Sequence, residues 1–398
     1  MSTTTHRGAE TVLNPSWLGV IAIALGAFAL VVTEFLPVGL LPGIASDLGV
    51  PEGTAGLAVT ATAILGFIAA PVTALSIRRL DRRLVLLGLT ALLILSSVMS
   101  SMAASFPVLL MARVVLGIGV GGFWAISITA AARLVPADKV HKASSFVFAG
   151  ISVGSVVSVP MGSYIGAHYD WRIAFMAASV LAVIVFLLQI FFLPKIAMKH
   201  GVSVGDFFGL LRSGKVRAIF LTVIFIVAGQ YSGYTFVTPY LEQLVKFDNN
   251  AISVLLFAYG VVAVIGNFVA GALAGRDLHK TVYTNVALFL LSLLVLSAFP
   301  QHPVIAIIGL MVWALSWGMA PVGTQLWLYN ATLHAPEAAQ AMNTSVFQLS
   351  IGLGSLVGGV VVNHINLHSS MWVGAIILTL AVVMVIIVGR MDVKEARL

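Results

Sequence analysis

The sequence predicts an all-α polytopic membrane protein, with twelve transmembrane helices in two pseudo-symmetric six-helix bundles. Three observations carry that expectation. The composition is one that only lipid tolerates. Apolar stretches of spanning length recur twelve times. The basic residues sit almost entirely in every second connection.

Of the 398 residues 60% are apolar and 9% charged, whereas a soluble domain is about a quarter charged. A soluble chain of this size needs far more polar surface to cover its core. Hydrocarbon accepts these side chains but cannot solvate a backbone, so each crossing segment must be a helix that pairs its own amides. A span requires about 20 apolar residues. Such stretches lie at 16–41, 54–77, 84–103, 106–132, 143–167, 172–193, 217–241, 251–274, 282–300, 303–329, 338–362 and 371–389. The polar stretch Met1–Pro15 runs into the first of them without a signal-peptide cleavage pattern, and reads as the lead-in to an uncleaved span.

Twelve crossings place both ends of the chain on one side. The connections on that side hold eighteen of the twenty-one Lys and Arg residues, from Arg7 through Arg78, Arg79, Lys139, Lys199 and Arg276 to Arg397. The other side holds only Arg172 and Lys246, and Arg113 lies within a span. The positive-inside rule then makes the rich side cytoplasmic. The net charge of +7 is accordingly a topology signal and not a nucleic-acid footprint. There is no cysteine, so neither a disulfide framework nor a thiolate metal site is expected.

The longest connection, 194–216, divides the chain into 1–193 and 217–398, six spans each. Thr33-Glu34-Phe35-Leu36-Pro37 in span one has an echo 202 residues later in Thr235-Phe236-Val237-Thr238-Pro239 of span seven. The basic connection after span two has a counterpart about 197 residues on, with Ala74 matching Gly271. Repeated halves with a site at their interface are a transporter architecture.

Several local motifs resemble the major facilitator superfamily, over essentially the whole chain. Leu110-Met111-Ala112-Arg113-Val114-Val115-Leu116-Gly117-Ile118-Gly119 is similar to the family's fourth-helix motif. Gly271-Ala272-Leu273-Ala274-Gly275-Arg276 is similar to its G-x-L-A-D-R loop, with Gly275 in place of the acid. The earlier copy, Ala74 to Arg83, keeps the terminal basic pair but lacks the leading glycine and the acid. Pro160-Met161-Gly162 resembles the antiporter motif of helix five, with Val159 replacing its usual glycine. The run from Thr33 to Pro42 resembles that of drug:proton antiporter-like exporters, including sugar-efflux proteins. Gly121 to Ser127, Arg133 to Pro136 and Ala228-Gly229-Gln230 look most like purine ribonucleoside efflux pumps. The resemblance implies a monomeric secondary exporter of the cytoplasmic (inner) membrane. It would exchange a small solute for protons by alternating access, with purine ribonucleosides ahead of sugars or drugs. Substrate contacts would then come from helices one, four, seven and ten.

Glu34 is the only acid, and Arg113 the only base, well inside a predicted span. Each lies seven residues from the outer end of its span, roughly 10 Å deep at 1.5 Å per residue. An intramembrane carboxylate is costly and is functional by default. Glu34 is therefore a proton-coupling candidate tuned by Arg113. The alternatives are a structural ion pair or a carboxylate capped by Thr33. Trp124, eleven residues after Arg113, returns to nearly the same helix face beside Phe123. Gln230, Tyr231 and Tyr234 cluster in span seven, and Trp313 and Trp317 form an i,i+4 pair in span ten. Aromatic faces with amides suit a flat, hydrogen-bonding solute; the same residues also serve interfacial belts and packing. Asn267, Gln325, Asn343 and Gln348 are amides similar to Gln230 but less well placed, and such residues are more often interhelical glue. Pro37, Gly117, Gly121, Pro160, Gly162, Pro239 and Gly271 are the candidate compliant or close-packing points.

Soluble-enzyme signatures are excluded by context. Gly150-Ile151-Ser152-Val153-Gly154 matches a nucleophile elbow, yet lies inside an apolar helix with no preceding strand. Gly117-Ile118-Gly119 fails as a dinucleotide fingerprint for the same reason. No P-loop is present, and His364 and His368 are too isolated for a metal site. No enzyme, cofactor or metal is therefore expected; the partners are solute, protons and lipid. An uncoupled facilitator and a membrane sensor are the competing classes.

Overall fold

The computed structural model describes residues 16–76, 80–196, 204–332 and 336–395. Among these, twelve helices are long and apolar enough to cross a membrane. They are α1 (Trp17–Leu48), α2 (Leu57–Ser76), α3 (Arg82–Ser101), α4 (Phe106–Ala132), α5 (Val140–His168) and α6 (Trp171–Phe192) in the first half. The second half holds α7 (Gly214–Tyr234), α8 (Asn249–Ala274), α9 (Leu278–Ala298), α10 (Pro303–Ala331), α11 (Pro336–His364) and α12 (Ser369–Glu395). A one-turn helix, Glu52–Ala55, leads into α2, and the central connection contains the short helix Val204–Arg212. The stretch Met1–Pro15 and the basic residues Arg7, Arg78, Arg79, Lys199 and Arg397 lie outside the described residues.

The few acids mostly start helices. Asp81, Asp170, Asp248 and Asp277 cap α3, α6, α8 and α9 with side-chain oxygens on first-turn amides, satisfying donors that hydrocarbon cannot. At Asp277 the amide and ammonium of Lys280 hold the carboxyl below the usual range. Gly49, left-handed at φ 63°, closes α1.

The two halves repeat one packing scheme. α1 lies on α5 as α7 lies on α11; α2 lies on α4 as α8 lies on α10; α3 lies on α6 as α9 lies on α12. The halves meet along α2 with α11 and α5 with α8, two seams that the pseudo-twofold exchanges. Close approach follows from small residues: a Cβ on Gly117 or Gly121 of α4 would overlap the Thr62 or Gly66 carbonyl of α2. Gly162 similarly faces the Leu36 carbonyl, whereas Gly271 borders open space. Pro160 sits within an unbroken α5.

Two boundaries differ by seven residues from those the sequence suggests. α1 continues to Leu48 and stays helical through Pro37 and Pro42. α7 stops at Tyr234, although the apolar run suggests a span to 241. A turn at Thr235–Phe236 intervenes before Val237–Pro239 and a wide turn at Tyr240–Leu244. Pro239 lacks the N–H that would bond the Thr235 carbonyl, so the ladder fails there. The echo with span one is nonetheless visible in three dimensions. Thr33 and Thr235, each four residues before its proline, both bond back to the carbonyl four residues earlier, at 2.8 Å.

Both described ends of the chain lie at one face, here termed the terminal face. At the opposite, far face the halves are tied together. Thr238 Oγ1 donates to the Val38 carbonyl at 2.9 Å, a group left free because Pro42 has no N–H. Gln243 donates to Glu52, Asn363 to Thr54 at 3.0 Å, and Ser355 to the Gly56 carbonyl at 3.1 Å. The α7 break delivers Phe236, fully buried, into a socket formed by Gly56 of the first half and Gly358 and Gly359 of the second. A Cβ on Gly359 would stand 2.6 Å from the Gly53 carbonyl across the seam. Gly359→Leu is therefore predicted to part the halves at this face. The chain has no cysteine, so a single Ser355→Cys reports directly. That thiol, protected from a bulky maleimide in detergent-solubilised protein, should label readily once Gly359→Leu is added. Continued protection would sink the prediction.

Candidate functional site

A cavity of about 320 Å³ lies between the halves, at the small end of the roughly 300–1,000 Å³ typical of small-molecule sites. Residues of α1, α4, α5, α7, α8, α10 and α11 line it. The lining is lopsided along the membrane normal. It begins near the middle, at Glu34, Tyr231, Tyr259 and Gln348, and extends through Ile128, Asn267, Gln325 and Gln340 toward the terminal face. The far-face ties close its other end.

Glu34 is 3% exposed and its carboxylate is part of the cavity wall. Its Oε1 accepts from Gln348 Nε2 at 3.0 Å, across the interface between halves. Arg113 does not meet that carboxylate, so the two do not form the structural ion pair that the sequence left open. Its guanidinium is fully buried and donates to main-chain oxygens: Thr33 at 3.0 Å, Glu34 at 2.9 Å and Ala58 at 3.3 Å. The reason is Pro37, which has no N–H for the Thr33 carbonyl. An arginine presents several donors in a fixed fork and suits this cluster of acceptors. Arg113 thus fastens α1 to α2 and α4, and its charge approaches Glu34 through the backbone. Phe175 covers its other side, 5.8 Å from the ring centre.

The aromatic candidates separate into two layers. Trp124, Tyr231, Tyr234 and Trp317 border the cavity. Phe123, Gln230 and Trp313 do not, being buried behind it. Phe123 packs edge-on against Trp124 and fills the space beside Gly26 of α1. Gln230 accepts from the Trp313 indole and donates to the Tyr259 hydroxyl at 3.1 Å. It therefore braces the wall from behind. Trp313 stands edge-on to both Tyr234 and Tyr259, with centroids 6.0 Å away. Tyr231 stacks on Phe35 of the other half at 5.7 Å and 20°, and meets Trp317 edge-on.

Several lining residues went unrecognised in the sequence. Tyr259, Phe35 and Phe347 are cavity aromatics. Asn267, Gln325, Asn343 and Gln348, expected to be glue, all face the cavity. A phenol in a span needs a partner, a signal as good at Tyr259 as the amide was at Gln230. The faces of α5, α8 and α11 are harder to read, because a serine, threonine or amide in a span can bond to its own or a neighbouring helix as readily as it can face a cavity.

The family model described as Major Facilitator Superfamily matches residues 23–358. The chain belongs to the major facilitator superfamily. Like the superfamily's other members it is a multi-pass membrane transporter of a small molecule and not an enzyme. It is 31% identical to the purine ribonucleoside efflux pump NepI of Escherichia coli over 380 residues, 96% of each chain. The Shigella flexneri pump of that name matches equally. In fold it is similar to a D-xylose-proton symporter, at TM-score 0.77 and 16% identity, covering 94% of this chain and 97% of that one. It is also similar to the nucleoside transporter NupG, at TM-score 0.75 and 10% identity, covering 93% and 99%.

The role of Arg113 in this superfamily member is open to a double-mutant cycle. Arg113→Lys exchanges the spread guanidinium fork for one compact ammonium, and the buried Thr33 carbonyl left unpaired costs about 1–3 kcal/mol. Pro37→Ala restores an amide to the Thr33 carbonyl. Thermal unfolding should show a large loss for Arg113→Lys alone and a smaller one in the Pro37→Ala background. Strict additivity would separate the two residues.

Proposed function

We propose that this transporter exports purine ribonucleosides in exchange for protons, with Glu34 as the proton-carrying group. One observation carries the reading: a carboxylate in the wall of the central cavity, hydrogen-bonded to the opposite half. A protonatable group at that point is accessible from the cavity and touches both moving parts. Changing its charge changes both solute binding and the contact between halves. The aromatic wall supports a planar solute, which can stack on Tyr231, Tyr234 or Trp317 while Asn267, Gln325 and Asn343 offer donors and acceptors. The likeness to NepI over nearly the full length supports the substrate class and the outward direction.

Alternating access follows from two rigid halves, 1–193 and 217–398, rocking about the cavity. Basic residues concentrated at the terminal face favour a cytoplasmic location for both termini in the inner membrane. The cavity then faces the cytoplasm, where solute is loaded, and the transporter operates as a monomer. Solute enters while Glu34 is ionised; the far-face ties open; a proton from outside neutralises Glu34 as solute leaves.

The test uses proteoliposomes. Acidifying the receiving side should accelerate inosine transport by the wild-type protein. Glu34→Gln should insert normally and still exchange inosine down its own gradient, but lose the acceleration by pH. Undiminished pH-driven transport in that variant would remove Glu34 from the coupling.

A further inference from the structure

The amide bonded to Glu34 has an unused half. Gln348 of α11 is 4% exposed and borders the cavity. Its Nε2 is committed to Glu34, but its Oε1 has no hydrogen-bond partner. A buried amide oxygen without a partner is costly and marks an unmet need. The side chain also has a prepared bed. It lies across Gly66 of α2, where a Cβ would stand 3.3 Å from both Gln348 Cγ and Cδ. Gln348 thus leaves its own half, crosses on a glycine, and ends on the one carboxylate of the cavity wall.

We propose that Gln348 is a solute-reading residue that makes proton and solute binding exclusive. The inference rests on the reading of Glu34 as the proton site. The chemistry is that of a primary amide, which has a donor end and an acceptor end. While Glu34 is ionised it accepts only, so the amide must turn its NH2 to the carboxylate. Its oxygen is then turned away from the acid, and though buried without solute it accepts from an O–H or N–H of a solute that displaces the side chains over it. Once Glu34 is protonated, its O–H is best met by the amide oxygen. The amide rotates, and the NH2 end now faces the cavity. A solute donor there meets a donor and loses its bond. Protonation is thereby converted into release of the solute without any direct proton–solute contact. A ribose hydroxyl or a purine N–H meets the requirement; a solute with acceptors alone does not.

The titratable groups around this pair are few. Arg113 approaches from α4 with its guanidinium held on main-chain carbonyls. Tyr231 and Tyr234 come from α7 and Tyr259 from α8. The cavity faces of α5, α10 and α11 carry neutral side chains. The amide is the group hydrogen-bonded to Glu34, and it can reverse the polarity of that bond.

Gln348→Met keeps the volume and removes both ends of the amide. Two measurements on purified protein test the proposal. In infrared difference spectra between acid and neutral pH, the protonated carboxyl band of Glu34 is the one missing in Glu34→Gln. In Gln348→Met that band should move to higher frequency, because the carboxyl has lost the amide. Inosine binding at neutral pH should weaken about tenfold, the loss of one hydrogen bond, and its weakening on acidification should flatten. A purely packing role would leave the band frequency and the slope with pH unchanged, and that result in a folded variant overturns the proposal. Should Gln348→Met fail to insert, Gly66→Ala crowds the amide without deleting it and should shift the same band. The two readings fail separately. Retained pH-driven transport in Glu34→Gln sinks the coupling role, whereas its loss together with an unaltered Gln348→Met sinks only the role of Gln348.

Discussion

Three main-chain carbonyls on a guanidinium hold the centre of this transporter together. In lipid no water is present to satisfy a broken helix ladder, and each orphaned group must find a protein donor. Pro37 and Pro42 orphan the Thr33 and Val38 carbonyls in the middle of α1. Arg113 takes the first and Thr238 the second. These two repairs do different things. The arginine is in the same half and makes α1, α2 and α4 one unit. The threonine is in the other half and makes a tie that can be undone. A pair of prolines in one helix thus yields one contact within a half and one between the halves.

The same arrangement leaves the carboxylate of Glu34 available. Had Arg113 spent its donors on the acid, a buried ion pair would have resulted, closed to solute and costly to break. With the guanidinium occupied by the backbone, the carboxylate turns outward to the cavity and takes an uncharged partner from the opposite half. An amide is suited to that position because it can satisfy either protonation state of the acid, a property that neither a lysine nor a second carboxylate has.

The aromatic wall depends on a similar division. Gln230, fully buried, takes no part in the cavity surface, yet it sets the orientation of Tyr259 and Trp313. Edge-on and stacked contacts among these rings provide a rigid apolar surface with phenols at its margin. At the far face, glycines on both halves accept the Phe236 ring and permit the α2–α11 seam to close.

The sequence by itself determined the membrane class, twelve spans and the six-plus-six division, because those depend on composition, length and loop charge, which lipid reads directly. It also singled out Glu34 and Arg113, since an ionisable residue in a span is costly and must have a partner or a function. The threonine–proline echo was legible; that α1 stays helical through Pro37 while α7 stops before Pro239 was not. Only the tertiary structure decided who bonds to whom. Whether a proline bends a helix or breaks it rests on the neighbours that repair the ladder, so α1 runs on while α7 stops. An amide in a span can serve a neighbouring helix or a cavity equally well, and so Asn267, Gln325 and Asn343 could not be told from glue. Gln348 is the clearest instance. Its value lies in an acid 314 positions away in the chain, and a contact across two separately folded halves leaves no local pattern to read.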